Sequence, residues 1–136
     1  MNRNAAGAVL DASALLALLN GEPGADRVRD ALEGGALVSA VNWAEVLARL
    51  VVAGGDLDEI DAMVLPPGDG GQLQLVPFDA EQARASARLV RRTRSLGLSL
   101  ADRAALGLAT LRRLPVLTTD RAWRPLRPSV DVRIIR

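Results

Sequence analysis

The chain contains no cysteine and no histidine. Without cysteine there are no disulfides, no thiolate zinc sites and no cysteine nucleophile, a composition that suits a reducing compartment. Without histidine, a general base has to be a carboxylate or a metal-bound hydroxide, and any metal has to be a hard ion held by oxygen. Lysine is missing as well: all 17 basic residues are arginine, which excludes Schiff-base chemistry and a phosphate-binding P-loop lysine. Only Trp43, Phe78 and Trp123 are aromatic, so the interior has to be built from Leu, Val, Ala and Ile. No apolar run approaches the ~18 residues of a membrane span. Asp11 interrupts the small apolar residues near the amino end before any cleavage-like site, so no secretory leader is expected and the expected location is the cytoplasm.

What is present fits one domain, residues 1–136, long enough to bury a substantial core. The net charge of +1 exerts no global pull on nucleic acid, so a polyanion would have to be drawn by a local patch. Short apolar runs at 8–10, 36–38 and 116–117, the period-two alternation at 73–76 and the segment 132–135 predict strands, the last at an edge. Helices are expected at 14–19, 23–32 with Pro23 at its start, 41–53, 56–65, 79–96 and 99–113. The segment 41–53 has only Asn42, Glu45 and Arg49 as polar residues and is expected to be packed on most sides; in 79–96, Ala83, Ala87 and Val90 are the inward candidates. A Pro- and Gly-rich loop is expected at 66–71. Strands alternating with helices predict a three-layer α/β/α fold on a mostly parallel sheet, with ligands beyond the strands' carboxyl ends where the strand order reverses.

Four acids stand at the seams of this pattern: Asp11 ends one apolar run, Glu45 lies in an apolar helix, Asp102 opens another helix and Asp120 closes a second apolar run. Each has an ordinary reading. Asp11 or Ser13 suits a helix cap, Ser99-Leu100-Ala101-Asp102 has the form of a capping box, Asp120 suits a turn, and Glu45 has Arg49 four residues on as an ion-pair partner. A single metal site explains all four together. Two carboxylates about 4 Å apart repel by roughly 4 kcal/mol at an effective dielectric near 20, so such a cluster needs a cation or a proton. An oxygen-only set with open water positions suits Mg²⁺ or Mn²⁺.

The segments Val9-Leu10-Asp11-Ala12-Ser13-Ala14, Asn42-Trp43-Ala44-Glu45-Val46, Leu98-Ser99-Leu100-Ala101-Asp102-Arg103-Ala104 and Leu117-Thr118-Thr119-Asp120-Arg121-Ala122-Trp123 together resemble PIN-domain ribonucleases, particularly the VapC-type toxins of toxin/antitoxin pairs. The resemblance spans nearly the whole chain. It implies that Asp11, Glu45, Asp102 and Asp120 are the metal-site acids, that Ser13 and Thr118 are supporting hydroxyls, and that RNA is cut to leave 5'-phosphate and 3'-hydroxyl ends. It further implies an antitoxin partner and a homodimer. Ala101 stands where relatives often carry glycine, and Arg121-Ala122-Trp123 follows where some carry a further acid.

With so few aromatics to stack bases, RNA binding is expected to rest on arginine, with Arg84, Arg88, Arg91 and Arg92 near one helix face as the candidates. A solvated face is the ordinary reading of the same residues. Two other classes compete. A phosphoacceptor also places Asp beyond strand ends, but such sites rely on a lysine, and Asp11-Ala12-Ser13 lacks the second Asp of the phosphatase motif. A binding module that keeps its acids while acting by complex formation is compatible with every residue named.

Overall fold

The computed structural model describes residues 6–65, 72–127 and 129–136. Five strands form one sheet: β1 (Ala8–Leu10), β2 (Ala36–Ser39), β3 (Leu73–Val76), β4 (Val116–Thr118) and β5 (Val132–Ile134), in the order β3-β2-β1-β4-β5 with every pairing parallel. The chain travels outward from β1 through β2 to β3, then crosses back to place β4 on the other side of β1. Strand order therefore reverses between β1 and β4, where the crevice beyond their carboxyl ends opens.

Side-chain alternation along the strands splits the core into two halves. Leu10, Val38 and Leu117 pack beneath α1 (Ala12–Leu19), α2 (Ala25–Glu33), α3 (Ala40–Val52) and α4 (Leu57–Val64). Val9, Leu37, Val116 and Val132 pack on the opposite face beneath α7 (Leu100–Arg112), the segment around Leu89, and a 3₁₀ turn at Arg121–Leu126. The result is the three-layer α/β/α arrangement expected from the alternation of elements, with a sheet that is wholly parallel. No helix among the described residues is long and apolar enough to cross a membrane.

Three local expectations need correction. The segment 79–96 is not one helix: α5 (Ala80–Arg88) is followed after Leu89 by the short α6 (Val90–Thr93) and a 3₁₀ turn at Arg94–Leu96. Its buried face is Gln82, Ala85, Ser86, Leu89 and Thr93, while Ala83 and Ala87 are exposed. Alanine lies on both faces of α5, so apolar spacing could not tell inside from outside; close approach to α7 decides it. At Gly107 a Cβ would lie 3.1 Å from the Ser86 backbone nitrogen and 3.2 Å from the Ala85 carbonyl carbon, so only glycine lets the two helices meet this closely.

Nor is α3 packed on most sides. Asn42, Trp43 and Val46 are buried, whereas Ala44, Glu45, Ala48 and Arg49 are exposed and Val52 is 89% exposed. Nonpolar residues on its outer face gave the helix an apolar composition without burial. Finally, α2 starts at Ala25, after Pro23, because Gly24 takes φ +99° against the last strand, where a Cβ would stand 2.7 Å from the Ile135 carbonyl oxygen. The expected loop at 66–71 lies outside the described residues.

Candidate active site

β1 ends at Leu10, and the next residue, Asp11, is both the N-cap of α1 and 4% exposed. Its Oδ1 accepts hydrogen bonds from the Ser13 hydroxyl (2.7 Å) and the Ala14 backbone N–H (2.8 Å), so the capping reading holds. Its Oδ2 accepts a 2.6 Å hydrogen bond from the Thr118 hydroxyl, which arrives from the end of the neighbouring strand β4. The parallel register of β1 and β4, with Leu10 opposite Leu117, brings these residues together across 107 positions of sequence. The Ser13 hydroxyl in turn accepts from the Thr119 N–H at 3.0 Å, and the Thr118 hydroxyl accepts from the Asp120 N–H at 3.1 Å. Two hydroxyls thus tie the strand ends to one carboxylate.

Burial pushes the Asp11 carboxyl from an ordinary 3.8 up to about 6. The hydrogen bonds from Thr118, Ser13 and Ala14 pull it down, and the charge of Asp102 pushes it further up. The same features that make Asp11 hold a proton, desolvation and a nearby like charge, would favour any cation placed between the two acids.

Asp11, Glu45, Asp102 and Asp120 all border a single cleft of about 320 Å³ at the strand-order reversal. Asp102 is half-buried in the first turn of α7, where the expected capping box is formed: its Oδ2 accepts from the Ser99 N–H at 2.9 Å and its own N–H donates to the Ser99 hydroxyl at 3.2 Å. Asp120 is exposed and caps the 3₁₀ turn through a 2.9 Å hydrogen bond from the Ala122 N–H. Glu45 is exposed on α3. Its ordinary partner, Arg49, borders the same cleft, yet the ion pairs among the described residues do not include the two together. Capping and cleft lining coexist because a carboxylate has about four acceptor positions and a cap uses only one or two.

Among the described residues, no three acidic side chains stand close enough to hold a metal ion jointly. The donor set still suits a hard divalent ion. All donors are oxygens, Asp11 retains acceptor capacity beyond its three hydrogen bonds, and Mg²⁺ commonly binds one or two carboxylates directly while keeping several waters.

Asn42 stands out in the sequence as a polar residue of the segment 41–53 and as part of a matching segment, but not as a site residue. Its amide donates at 3.0 Å to the carbonyl of Ala101, the residue before Asp102, and its Oδ1 is buried without a partner among the described residues. Asn42 thereby couples α3, which carries Glu45, to the first turn of α7. An amide alone in an apolar helix three residues before Glu45 was the available signal. Arg136, also unremarked in the sequence, borders the cleft and pairs with Glu22 at 3.2 Å. By contrast, Arg84 and Arg88 on α5 and Arg91 and Arg92 on α6 are exposed but lie outside the cleft lining. Arg92 edges a different hollow beside Pro125 and Leu126.

The PIN domain family matches residues 8–127, which takes in all four acids and both hydroxyls. The chain belongs to the PIN-domain family. Solved structures share this PIN fold: a toxin-antitoxin complex from Klebsiella pneumoniae has a TM-score of 0.69 at 20% identity, covering 96% of this chain and 98% of that one. VapBC2 from Rickettsia felis, bound to a DNA fragment from its promoter, has a TM-score of 0.66 at 15% identity, covering 93% and 96%. VapBC-5 from Mycobacterium tuberculosis has a TM-score of 0.56 at 25% identity, covering 96% and 98%. No curated protein sequence matches the chain. PIN domains are generally nucleases that work with a divalent metal, and in this PIN domain the acids border one crevice.

Proposed function

We propose that the chain is a Mg²⁺- or Mn²⁺-dependent endoribonuclease acting as the toxin of a toxin/antitoxin pair. The observation that carries this reading is the convergence of Asp11, Glu45, Asp102 and Asp120 from four separate segments on one cleft, around a buried carboxylate held by Ser13 and Thr118. Asp11, Asp102 and Asp120 would hold the ion directly or through water, with Glu45 as a further ligand or the group that orients the attacking water. When bound, the ion would acidify a water and offset the charge of the scissile phosphate. The chain's own part is to fix Asp11 by three hydrogen bonds, to hold Asp102 through its cap, and to present the exposed carboxylate of Glu45 at the rim, where it would orient the attacking water.

An antitoxin partner is supported by the neighbouring structures, which are themselves toxin-antitoxin complexes. The exposed apolar side chains Val51, Val52, Leu57 and Met63 on and beside α3 and α4 offer surface of the kind that an antitoxin or a second copy of the chain would cover. The arginines at 84, 88, 91 and 92 would extend the RNA track outside the cleft.

The test is cleavage of end-labelled RNA with Mg²⁺ or Mn²⁺, its suppression by EDTA, and its loss in Asp11→Asn and Asp102→Asn. Undiminished cleavage by both variants would sink the assignment. That the acids do not close into a ready cage favours one second reading, a PIN fold that acts mainly by binding its partner. Metal-independent RNA binding without cleavage would select it.

A further inference from the structure

Among the described residues, five carboxylates border the cleft against two guanidiniums, Arg49 and Arg136. Among these lining residues, a polyanion is attracted by those two side chains and repelled by the carboxylates. Arg49 follows Glu45 by one helical turn on α3, a displacement of about 6 Å, comparable to the spacing of neighbouring phosphates along a strand. Both residues are exposed on the same stripe of α3. Arg136 reaches the cleft from beyond β5 and is held at 3.2 Å by Glu22, both side chains being about two-fifths exposed. Arg49 has no ion-pair partner among the described residues.

Resting on the nuclease reading, we infer that Arg49 and Arg136 form a phosphate clamp that seats the RNA backbone beside the acids, and that Glu22 occupies Arg136 until a phosphate displaces it. A guanidinium suits this role because its planar fork engages two phosphate oxygens at once. The half-exposed ion pair with Glu22 is weak enough to be exchanged for such a contact. An acidic peptide offers no comparable advantage, since the flanking carboxylates oppose it as strongly as they oppose RNA and it brings no bidentate phosphate oxygens. Within the cleft, the acids and the arginines then divide the labour between the reacting phosphate and its neighbour.

Binding of a fluorescein-labelled 20-nucleotide single-stranded RNA, followed by anisotropy in EDTA so that cleavage is silent, tests the clamp. Arg49→Ala and Arg136→Ala are expected to weaken binding about tenfold each and to flatten the dependence of log affinity on log salt by about 0.7 per lost phosphate contact. Arg49→Lys and Arg136→Lys should recover part of the affinity, which a purely structural role would not produce. Glu22→Gln should tighten binding about threefold by freeing Arg136. Unchanged affinity and salt slope in both alanine variants, with melting curves like the parent's, would overturn the clamp while leaving the nuclease reading intact. RNA binding left intact while competition by an oligoglutamate peptide weakens would assign the pair to a protein partner and also overturn it. Failure of the parent chain to bind RNA in EDTA would overturn the clamp, while cleavage of the same RNA with Mg²⁺ decides the nuclease reading separately.

Discussion

The hydroxyl of Thr118 donates a 2.6 Å hydrogen bond to Oδ2 of Asp11, joining the ends of β4 and β1 across the reversal in strand order. Replacement by the near-isosteric valine removes this donor and the acceptor for the Asp120 N–H. The expected cost is ~1–3 kcal/mol in urea unfolding, because a buried carboxylate oxygen loses its partner. With one of its stabilising hydrogen bonds gone, the Asp11 carboxyl rises above about 6. The acidic limb of the cleavage pH profile of Thr118→Val therefore moves toward higher pH. An unmoved limb would show that this contact does not set the ionisation of Asp11.

The elevated Asp11 carboxyl also makes a prediction for stability without metal. Between the unfolded value of 3.8 and the folded value of about 6, the folded chain keeps a proton that the unfolded chain has released. Raising the pH through that window weakens the fold, and the loss is on the order of 3 kcal/mol by neutrality. Asp11→Asn, which cannot ionise, escapes it: in EDTA the variant melts ~5 °C or more above the parent at pH 7, with the gap closing near pH 4. Added Mg²⁺ stabilises the parent at pH 7 and leaves the variant unmoved. Parallel melting of the two proteins from pH 4 to 7 would contradict this.

Asp102 serves a cap and borders the cleft, and two substitutions separate the roles. Asp102→Asn keeps an oxygen that accepts from the Ser99 N–H, so stability changes by less than ~0.5 kcal/mol, while cleavage falls ~100-fold or more. Asp102→Ala loses the capping oxygen too and costs ~1 kcal/mol in addition. Thermal melts and initial cleavage rates of both variants suffice. An asparagine variant as active as the parent would reduce Asp102 to its capping role.

Gly107 offers a test of packing away from the acids. A Cβ at this position meets backbone atoms of Ser86 and Ala85, which cannot swing aside as a side-chain tip would. Gly107→Ala is therefore expected to destabilise by ~1–3 kcal/mol despite alanine's better helix propensity. A gain in stability on denaturant titration would mean that α5 and α7 separate without cost.

Much of this arrangement is legible in the amino-acid sequence. The five strands read correctly because each is a short apolar or alternating run, and Ser99 caps α7 as the capping-box pattern suggests. Asp11, Asp102 and Asp120 border the cleft because each sits at the boundary of an element, and such boundaries on one edge of a parallel sheet share a crevice, whereas Glu45 borders it from the second turn of α3. The break after Leu89 and the open face of α3 were not legible, since alanine and valine at most positions leave periodicity without contrast.

The sequence alone determined which chemistry is available. With no cysteine, histidine or lysine, no thiol, imidazole or amine side chain can act and ionic chemistry falls to carboxylates and arginines, whose local order marks a PIN domain. Tertiary structure decided how those groups meet: Thr118 against Asp11, Asn42 against Ala101, Arg136 beside the acids. Such contacts join positions 59 to 107 residues apart in the first two cases. They depend on strand register and on how closely helices pack, and both are properties of the assembled layers that no local stretch of chain encodes.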